Sequence, residues 1–346
     1  MKNAIQISII IAVYRREDEL SELLQSLAKQ SDSKFEVVVV DDGSPESLEP
    51  IIQKFQPNLR IQYFHKENSG PAKSRNYGME RALGNYFIFL DSDTIAPANY
   101  IETVRKELTE KYVDAFGGPD AADESFTTLQ KAISFSMTSF LTTGGIRGGK
   151  RHIGKFQPRS FNMGMSKEAF EKTGGFGNLR VGEDPDLSMT LWENGFETRL
   201  FPDAKVYHKR RTSLRKFAKQ VYQFGIARPI LNQRHPGSGK LTYWFPSLFS
   251  LGFIISILLY FITFWIIGKI RYLFAIPFLF FLFYFQFLIL ISAIQSNSLK
   301  VGFLSFLTTL TQFFNYGYGF LKSWIFLNIF KIKPEKAFPS HFSDSD

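Results

Sequence analysis

The sequence lacks cysteine altogether, and its second part lacks acidic residues over a long stretch. The missing cysteines exclude a disulfide framework and fit a reducing compartment. Between Asp203 and Glu335 there is no Asp or Glu, whereas the same stretch holds 16 Lys and Arg. Residues 1–203 hold 24 Lys and Arg against 29 Asp and Glu, a balance of −5, although the whole chain carries +9. The positive charge therefore belongs to the second part alone, which argues against nucleic-acid binding.

Two stretches of the second part lack any charged residue. Residues 244–268 and 272–294 contain 25 and 23 residues, all uncharged. About 20 apolar residues span the hydrocarbon core of a bilayer, so both stretches are predicted to be transmembrane helices. The alternative is a buried helical hairpin in a soluble core. A third stretch, 301–330, contains polar residues and Lys322, and we expect it to span the membrane, to re-enter it or to lie in its interface.

A basic segment precedes the first predicted span. Nine Lys or Arg lie between Lys205 and Arg234. Such clusters favour the cytoplasmic side of a membrane and anionic lipid headgroups, and the alternative is a solvated helix face. The apolar run at residues 5–14 is short and lacks the small-residue cleavage site of a signal peptide, so it is predicted to be a first strand.

The first hundred residues alternate between strand-like and helix-like segments. The predicted strands are apolar without alternation, and segments with helical spacing of leucine or an initial proline separate them. The strands are predicted at residues 5–13, 35–44, 61–68 and 85–93. This order indicates an α/β fold with a parallel sheet covered by helices on both faces. Ligands of such sheets bind beyond the carboxyl ends of the strands.

Acidic residues directly follow two of these strands. The second strand ends in Asp41 and Asp42, and the fourth ends in Asp91, Ser92 and Asp93. Buried carboxylates are costly unless they are paired or bound to a metal, so a cation is expected there. Two carboxylates at this edge can hold a hard divalent cation, which can in turn hold a diphosphate. The alternative is that Asp91 and Asp93 only cap the following helix.

Five segments, in this order, resemble the family 2 glycosyltransferases, a group with the GT-A fold that uses nucleotide-sugars. The resemblance covers roughly residues 5–228. The segments are 8–27, 37–46, 68–93, 161–178 and 182–195. In addition, residues 312–324 resemble the "YG-x-GF" ending of membrane-anchored members that build exopolysaccharide repeat units.

The resemblance, together with the charge and hydropathy pattern, predicts a domain order for the chain. A GT-A catalytic domain, mostly a parallel sheet with helices on both faces, is expected at 1–210. A basic amphipathic juxtamembrane segment would follow at 211–240, and a membrane region at 241–331. The remaining residues, 332–346, would form a polar tail.

The resemblance also implies roles for individual residues. Asp41 would accept a hydrogen bond from the ring N–H of the base, and Asp184 would be the catalytic base, with Glu183 as an orienting or acceptor-binding neighbour. The residues implied to bind the nucleotide-sugar are Ala12, Val13, Tyr14, Asp41, Asp42, Lys73, Arg75, Asp91 and Ser92. The residues implied to hold a divalent cation, Mg²⁺ or Mn²⁺, are Asp93, Asp91 and His208. The alternatives are a helix N-terminus for the Glu183–Asp184 pair and a surface position for His208.

The sequence differs from the motifs of several other enzyme classes, and these differences reduce the number of reactions that it could catalyse. Processive synthases carry Q-x-x-R-W, and residues 220–228 have no adjacent tryptophan. Polyprenyl-phosphate sugar synthases act on an anionic phosphate and need no general base, so the Gly-Glu-Asp motif favours a hydroxyl acceptor. Nucleotidyltransferases carry a Gly-rich loop after the first strand, which is missing here. Asp93 and Asp184 are both present, which argues against an inactive scaffold.

We therefore expect a metal-dependent inverting glycosyltransferase that moves a sugar from a UDP- or GDP-sugar to a hydroxyl group of a membrane-associated, lipid-linked saccharide. A polyprenyl-phosphate glycosyltransferase and a polysaccharide synthase are the alternatives. The enzyme is expected to be a multi-pass protein of the cytoplasmic (inner) membrane with its catalytic domain on the cytoplasmic face, where the donor is found. The glycine-rich loop at 143–160, with Arg147, Lys150 and Arg151, would close over a diphosphate or be merely solvated.

Overall fold

The computed structural model describes five stretches of the chain, and these divide into two compact units. The described residues are 5–121, 126–143, 155–208, 213–263 and 270–343. The first unit, here called the sheet unit, contains the described residues up to 121, those of 155–208, and residues 340–343. The second, here called the helical unit, contains residues 126–143 and the described residues from 213 to 339.

The strands follow the predicted order in the first hundred residues. They are β1 Ile7–Val13, β2 Phe35–Asp41, β3 Ile61–His65, β4 Tyr86–Leu90, β5 Thr94–Ile95, β6 Ala115–Gly117, β7 Asp120–Ala121, β8 Asn162–Ser166, β9 Thr198–Leu200 and β10 Val206–His208. Seven of them form one sheet in the order β3-β2-β1-β4-β8-β6-β9, and a small sheet has the order β5-β10-β7. Strands β1 to β4 pair in parallel, whereas β8 runs antiparallel to β4 and β6. The mostly parallel sheet is therefore confirmed.

The helices lie between these strands and then dominate the second part. They are α1 Glu17–Leu27, α2 Glu49–Phe55, α3 Pro71–Arg81, α4 Tyr100–Glu110, α5 Thr128–Thr138, α6 Phe140–Thr143, α7 Lys167–Thr173, α8 Glu183–Glu193, α9 Leu214–Arg234, α10 Phe245–Ile262, α11 Ile270–Ser296, α12 Leu299–Trp324 and α13 Pro334–Ala337. A π-helical turn, Ile325–Ile329, extends α12.

The sheet is buried on both faces, as its uniformly apolar strands predict. One core contains the leucines of α1 with Ile9, Ile11 and Ile88, and the other contains Ile10, Val38, Phe87 and Phe89 with side chains of α3, α7 and α8. Alternate residues of each strand face opposite cores because side chains alternate across a strand. The buried strands β1, β2 and β4 therefore hold their carboxyl ends in fixed positions at one edge.

Residues 197–208 form two short strands instead of one continuous strand. The strand-like run at 197–208 forms β9 and β10, which belong to different sheets. Pro202 lies between them, and proline lacks the N–H that a continuous ladder needs. The division places β10 antiparallel to β5, with His208 opposite Thr94. The backbone of His208 thus lies one residue from Asp93 in the register, and its side chain lies outside the described residues.

The helical unit is built around α12. This helix packs against α5, α9, α10 and α11. Its close approach to α9 depends on two glycines, because a Cβ atom on Gly225 would lie 2.3 Å from Tyr316 O and one on Gly319 would lie 2.4 Å from Tyr222 O. Its buried polar residues have partners, since Thr308 donates to Ala132 O of α5 at 3.1 Å. Residues 126–143 thus pack with the second part, whereas the sequence assigned them to the catalytic domain.

Among the described residues, two helices are long and apolar enough to cross a membrane. Phe245–Ile262 and Tyr272–Ser296 have mean hydropathies of 2.1 and 2.4. In the most apolar 18 residues of each helix, only 17% and 11% of the residues are buried. This exposure disfavours the alternative of a buried hairpin in a soluble core. The third predicted segment forms α12, and its buried Ser305 and Thr308 make hydrogen bonds inside the helical unit. Two exposed apolar helices are consistent with an association with a membrane.

Candidate active site

Predicted site residues meet at the carboxyl edge of the parallel strands. Val13, the last residue of β1, pairs in register with Asp41, the last residue of β2. The backbone N–H of Asp42 donates to Val13 O at 2.8 Å, which fixes the two strand ends beside one another. β4 lies on the other side of β1 and leads into Asp91. The sequence expectation that the acidic strand ends share one edge is confirmed.

The carboxylate of Asp41 is buried and has three polar partners at this edge of the sheet. It accepts hydrogen bonds from Ser44 N at 2.9 Å and Tyr63 Oη at 3.0 Å, and its other polar neighbour is His65 Nδ1 at 3.1 Å. Burial by itself raises the pKa of Asp41, but these hydrogen bonds outweigh it and hold the pKa below its usual value. Burial and the adjacent carboxylate raise the pKa of Tyr63 to about 12. Asp41 is thus an ionised acceptor at neutral pH.

Asp42 serves the local structure. Its carboxylate accepts from Lys66 Nζ at 2.7 Å and from Ser74 Oγ at 2.8 Å. It also accepts from the backbone N–H groups of Ser69 and Gly70 at 2.9 Å each. These four donors tie the loop after β3 and the start of α3 to the end of β2. A buried carboxylate with this many protein donors is a structural anchor, and the predicted contact of Asp42 with the nucleotide-sugar stays a prediction.

Arg75 joins the strand ends to the predicted catalytic pair. It lies on α3, its side chain is 5% exposed, and its Nη2 donates to Asp91 Oδ1 at 2.7 Å. Its Nη1 lies 3.9 Å from Glu183 Oε1. The guanidinium also stacks over the ring of Phe176, 5.2 Å from its centroid. One buried cation therefore faces carboxylates from two separate parts of the chain.

Glu183 and Asp184 form the first turn of α8. The helix begins after Gly182, whose φ of +91° favours glycine, and the acids there suit the positive end of the helix dipole. Burial and the charge of Asp184 raise the pKa of Glu183 to about 8. Burial also raises the pKa of Asp184, although Arg75, Ser160 and Arg159 oppose that rise. Burial therefore makes it unfavourable to ionise both carboxyls at once in this poorly solvated turn.

Asp184 has an oxygen available for chemistry. Its Oδ1 is buried and has no hydrogen-bond partner among the described residues. A buried carboxylate oxygen without a donor costs free energy, and such exceptions mark sites that a ligand completes. The two interpretations of the Glu183–Asp184 pair are thus compatible. The same turn is a helix N-terminus and holds a carboxylate oxygen that could accept a proton.

Arg16 provides the partner of Asp93. Its Nη1 makes an ion pair with Asp93 Oδ2. Burial by itself lowers the pKa of Arg16, but the charge of Asp93 outweighs this effect and raises the pKa above its usual value. Each carboxylate of the Asp91–Asp93 motif therefore forms an ion pair with an arginine. Arg16 was not among the sequence-predicted site residues, although its position directly after β1 places it at this edge.

The residues present fit a divalent cation in part. Among the described side chains, no group of three His, Cys, Asp or Glu comes together as a metal site. Asp91 and Asp93 are the oxygen ligands that Mg²⁺ or Mn²⁺ prefers, and the register of β10 brings the backbone of His208 beside them. A cation at Asp93 would take the place of Arg16. Phosphate oxygens of a nucleotide would complete such a set.

The other predicted residues lie around the same edge. Tyr14 is exposed and carries the guanidinium of Arg15 at 5.0 Å from its ring. Ser92 is buried, and Lys73 is half-buried on α3. Ala12 is half-buried near the end of β1. The predicted loop cations Arg147, Lys150 and Arg151 lie outside the described residues.

Sequence reasoning missed residues that fix the loop before Glu183 and Asp184. Asn76 follows Arg75 on α3, and its side chain bonds with Phe176 N at 2.9 Å and Phe176 O at 2.8 Å. Phe176 then supports Arg75 through its ring. The only sequence signal was the position of both residues inside segments that resemble the family.

The chain matches a known family over nearly half of its length. Residues 8–174 match "Glycosyl transferase family 2". An uncharacterized glycosyltransferase from Rickettsia bellii is 40% identical over 105 residues, which cover 30% of this chain and 15% of that protein. The chain therefore spans about a sixth of the length of this relative.

A second relative matches a longer part of the chain, and a solved structure shares its fold. The GalNAc(5)-diNAcBac-PP-undecaprenol beta-1,3-glucosyltransferase of Campylobacter jejuni is 29% identical over 207 residues, covering 57% of this chain and 61% of that protein. A mannosyltransferase from Pyrobaculum calidifontis, solved with GDP-Man and Mn²⁺, superposes with a TM-score of 0.50 at 19% identity, covering 70% of this chain and 68% of the other. Residues 8–174 are thus similar to the family 2 glycosyltransferases, and the sheet unit has the GT-A fold.

Proposed function

We propose that the chain moves a glycosyl group from a nucleoside diphosphate sugar to a hydroxyl group of a lipid-linked saccharide, with inversion at the anomeric carbon. One observation supports this above all. Arg75 bridges Asp91, at the end of β4, and Glu183, in the first turn of α8 next to Asp184. A donor-side carboxylate and a candidate base thus lie around one buried cation, as a single displacement requires.

The donor would lie along the edge made by β1, β2 and β4. Asp41 is ionised and fixed, so it is suited to accept a hydrogen bond from a base N–H. Ala12, Val13 and Tyr14 would line the base, and Lys73 would approach the phosphates. Ser92 would contact the ribose side together with Asp91.

The proton of the acceptor would pass to Asp184. As the acceptor oxygen forms its bond to the anomeric carbon, the bond from that carbon to the diphosphate breaks on the opposite face. Asp184 Oδ1 is the buried oxygen without a protein donor, so it can accept the hydroxyl proton. Attack and departure on opposite faces invert the anomeric configuration.

A divalent cation would be held by Asp91, Asp93 and His208. When bound, it supplies positive charge that stabilises the departing nucleoside diphosphate. Its use is supported by the oxygen ligands at this edge and by Mn²⁺ in the Pyrobaculum calidifontis structure. Arg16 would then be free to contact the phosphates.

The acceptor and location follow from the charge pattern and the apolar helices. An ionised Asp184 would repel an acceptor phosphate, which favours a hydroxyl over a polyprenyl phosphate. The two exposed apolar helices and the basic residues of α9 support a place at an anionic membrane surface. The Campylobacter jejuni relative is named for an undecaprenol-linked acceptor, which supports the same class here. We place the sheet unit on the cytoplasmic face.

Binding of a panel of UDP- and GDP-sugars to the full chain, with and without Mn²⁺, tests this proposal. We expect one donor to raise the unfolding temperature in a Mn²⁺-dependent manner, because a ligand that binds only the folded state stabilises it. Asp93→Asn should lose the Mn²⁺-dependent part of this rise. Asp18→Asn, an equal charge change at an exposed residue of α1, should keep it.

The outcome also separates the acceptor classes. Transfer to a saccharide hydroxyl on a lipid diphosphate is expected, whereas product formed only on a polyprenyl phosphate would support the alternative enzyme. A folded chain that binds no nucleotide-sugar would contradict the proposal altogether.

A further inference from the structure

Residues 340–343 return to the sheet unit after the whole helical unit has been completed. His341, Phe342 and Ser343 are all buried there. Phe342 forms an antiparallel bridge with Leu179, which is itself fully buried. A segment that the sequence assigned to a polar tail is therefore packed into the unit that carries the catalytic residues.

The bridge is made by backbone hydrogen bonds on both sides of Phe342. Arg180 N donates to His341 O at 2.8 Å, and Ser343 N donates to Asn178 O at 2.8 Å. Ser343 Oγ adds a bond to Asn178 O at 3.1 Å. Residues 341–343, here called the strap, thus hold residues 178–180 as one strand holds its neighbour.

The loop that the strap holds leads directly to the first turn of α8, which contains Glu183 and Asp184. It runs from the end of α7 to Glu183 and contains glycines with positive φ at both ends: +76° at Gly174 and Gly175 and +91° at Gly182. Glycines make such a loop costly to fix in one conformation. The loop therefore needs external contacts if it is to present Glu183 and Asp184 in a constant position.

Two separate contacts meet this need, one on each half of the loop. Asn76 of α3 bonds with both backbone groups of Phe176 and so fixes the first half. The strap bonds with Asn178 and Arg180 and so fixes the second half, three residues before Glu183.

We propose that the strap is a positioning element of the active site, which holds Asp184 at the distance that proton transfer requires. This inference rests on the proposed function for its effect on turnover, but the contact itself can be tested without any substrate. A displacement of a catalytic group by about 1 Å can cost about 100-fold in rate. Loss of the strap should therefore lower kcat and leave the donor site at β1 and β2 intact.

Ser343→Pro removes the N–H that bonds to Asn178 O, because proline has none. In the full chain without substrate, we expect hydrogen–deuterium exchange to become faster at residues 178–184 and to stay unchanged at 66–81. We expect kcat to fall about 10- to 100-fold, with the donor KM within about twofold of wild type. Ser343→Ala keeps the N–H and should lose less, and Ser340→Ala, at an exposed position beside the strap, should match wild type.

The wild-type chain supplies the second measurement, which holds even where Ser343→Pro does not fold. The amide of Arg180 should exchange slowly, since its N–H is bonded to the strap. Rapid exchange of that amide would overturn the proposal, as would faster exchange at 178–184 in Ser343→Pro with unchanged kcat. If wild type shows no transfer with any donor while Arg180 is protected, the proposed function fails and the strap contact stands.

Discussion

Replacing Asp184 with asparagine is expected to lower the rate of glycosyl transfer by about 10²- to 10⁴-fold, the usual contribution of a well-placed general base. Asparagine has nearly the same shape but cannot accept the hydroxyl proton. The donor contacts proposed at Asp41 and at the end of β1 do not involve Asp184, so donor binding should persist. Single-turnover transfer and donor-dependent thermal stabilisation of the same preparation measure the two effects separately.

Glu183→Gln is the matched control for this change. It is an equally conservative replacement at the neighbouring residue of the same helical turn. Burial and the charge of Asp184 raise the pKa of Glu183 to about 8, so Glu183 carries the proton of the pair at neutral pH. A glutamine resembles that protonated form, and we expect a much smaller loss of turnover than for Asp184→Asn. Equal losses in the two variants would contradict the assignment of the base to Asp184.

The Glu183–Asp184 pair also predicts how turnover changes with pH. Asp184 must be ionised to accept a proton, so turnover should fall as the pH decreases through the pKa of Asp184, which burial raises above its usual value. In Glu183→Gln the like charge next to Asp184 is gone at every pH. The acidic limb of the pH–rate profile should therefore not move to higher pH, and a rise in its midpoint would contradict this account.

The sheet and its acidic edge could be predicted from local sequence signals. The strands β1, β2 and β4 are uniformly apolar, and a strand of this kind is stable only when both of its faces are covered. Once the strands are known to be parallel, their carboxyl ends must share an edge. That geometry brings Asp41 and Asp91 together without any knowledge of side-chain packing.

The partners of the carboxylates could not be predicted in the same way. Arg16 reaches Asp93 across 77 residues of sequence, and the strap reaches Asn178 across 165. Nothing in the local pattern distinguishes Arg16 from its neighbour Arg15, and the polar composition of 340–346 resembles a solvated tail. Such contacts depend on how whole elements pack, so only the tertiary structure reveals them.

Arg75→Gln is expected to produce the largest loss of stability. The guanidinium is buried, and the carboxylates of Asp91, Glu183 and Asp184 act together to keep the pKa of Arg75 high despite its burial. Removing one side of a buried ion pair leaves charge without compensation, at a typical cost of about 3–5 kcal/mol in the free energy of unfolding. Arg81→Gln is the control on the same helix, since Arg81 pairs with its exposed neighbour Glu80. Exposed pairs contribute about 0–1 kcal/mol.

The loss in Arg75→Gln should grow with pH. A carboxyl whose pKa is higher in the folded than in the unfolded state takes up protons on folding, so it lowers stability as the pH rises through that interval. Glu183 already lies in this class, with a folded pKa of about 8 against an ordinary 4.5, and loss of Arg75 raises it further. Thermal unfolding of the full chain should therefore show a small deficit near the ordinary carboxyl pKa and a large one above neutrality. A deficit that is independent of pH would instead assign the effect of Arg75 to packing.

The double variant Arg75→Gln/Glu183→Gln separates charge from shape at this site. If the carboxyl charge of Glu183 is what Arg75 compensates, then removing both groups should recover part of the stability lost by Arg75→Gln above neutral pH. The two changes should be non-additive, because the residues belong to one buried network. Transfer activity should not recover, since Asp91 and Asp184 still lack the positive charge of Arg75. Recovery of stability without activity is the result that distinguishes a cation needed for function from one needed only to fill the core.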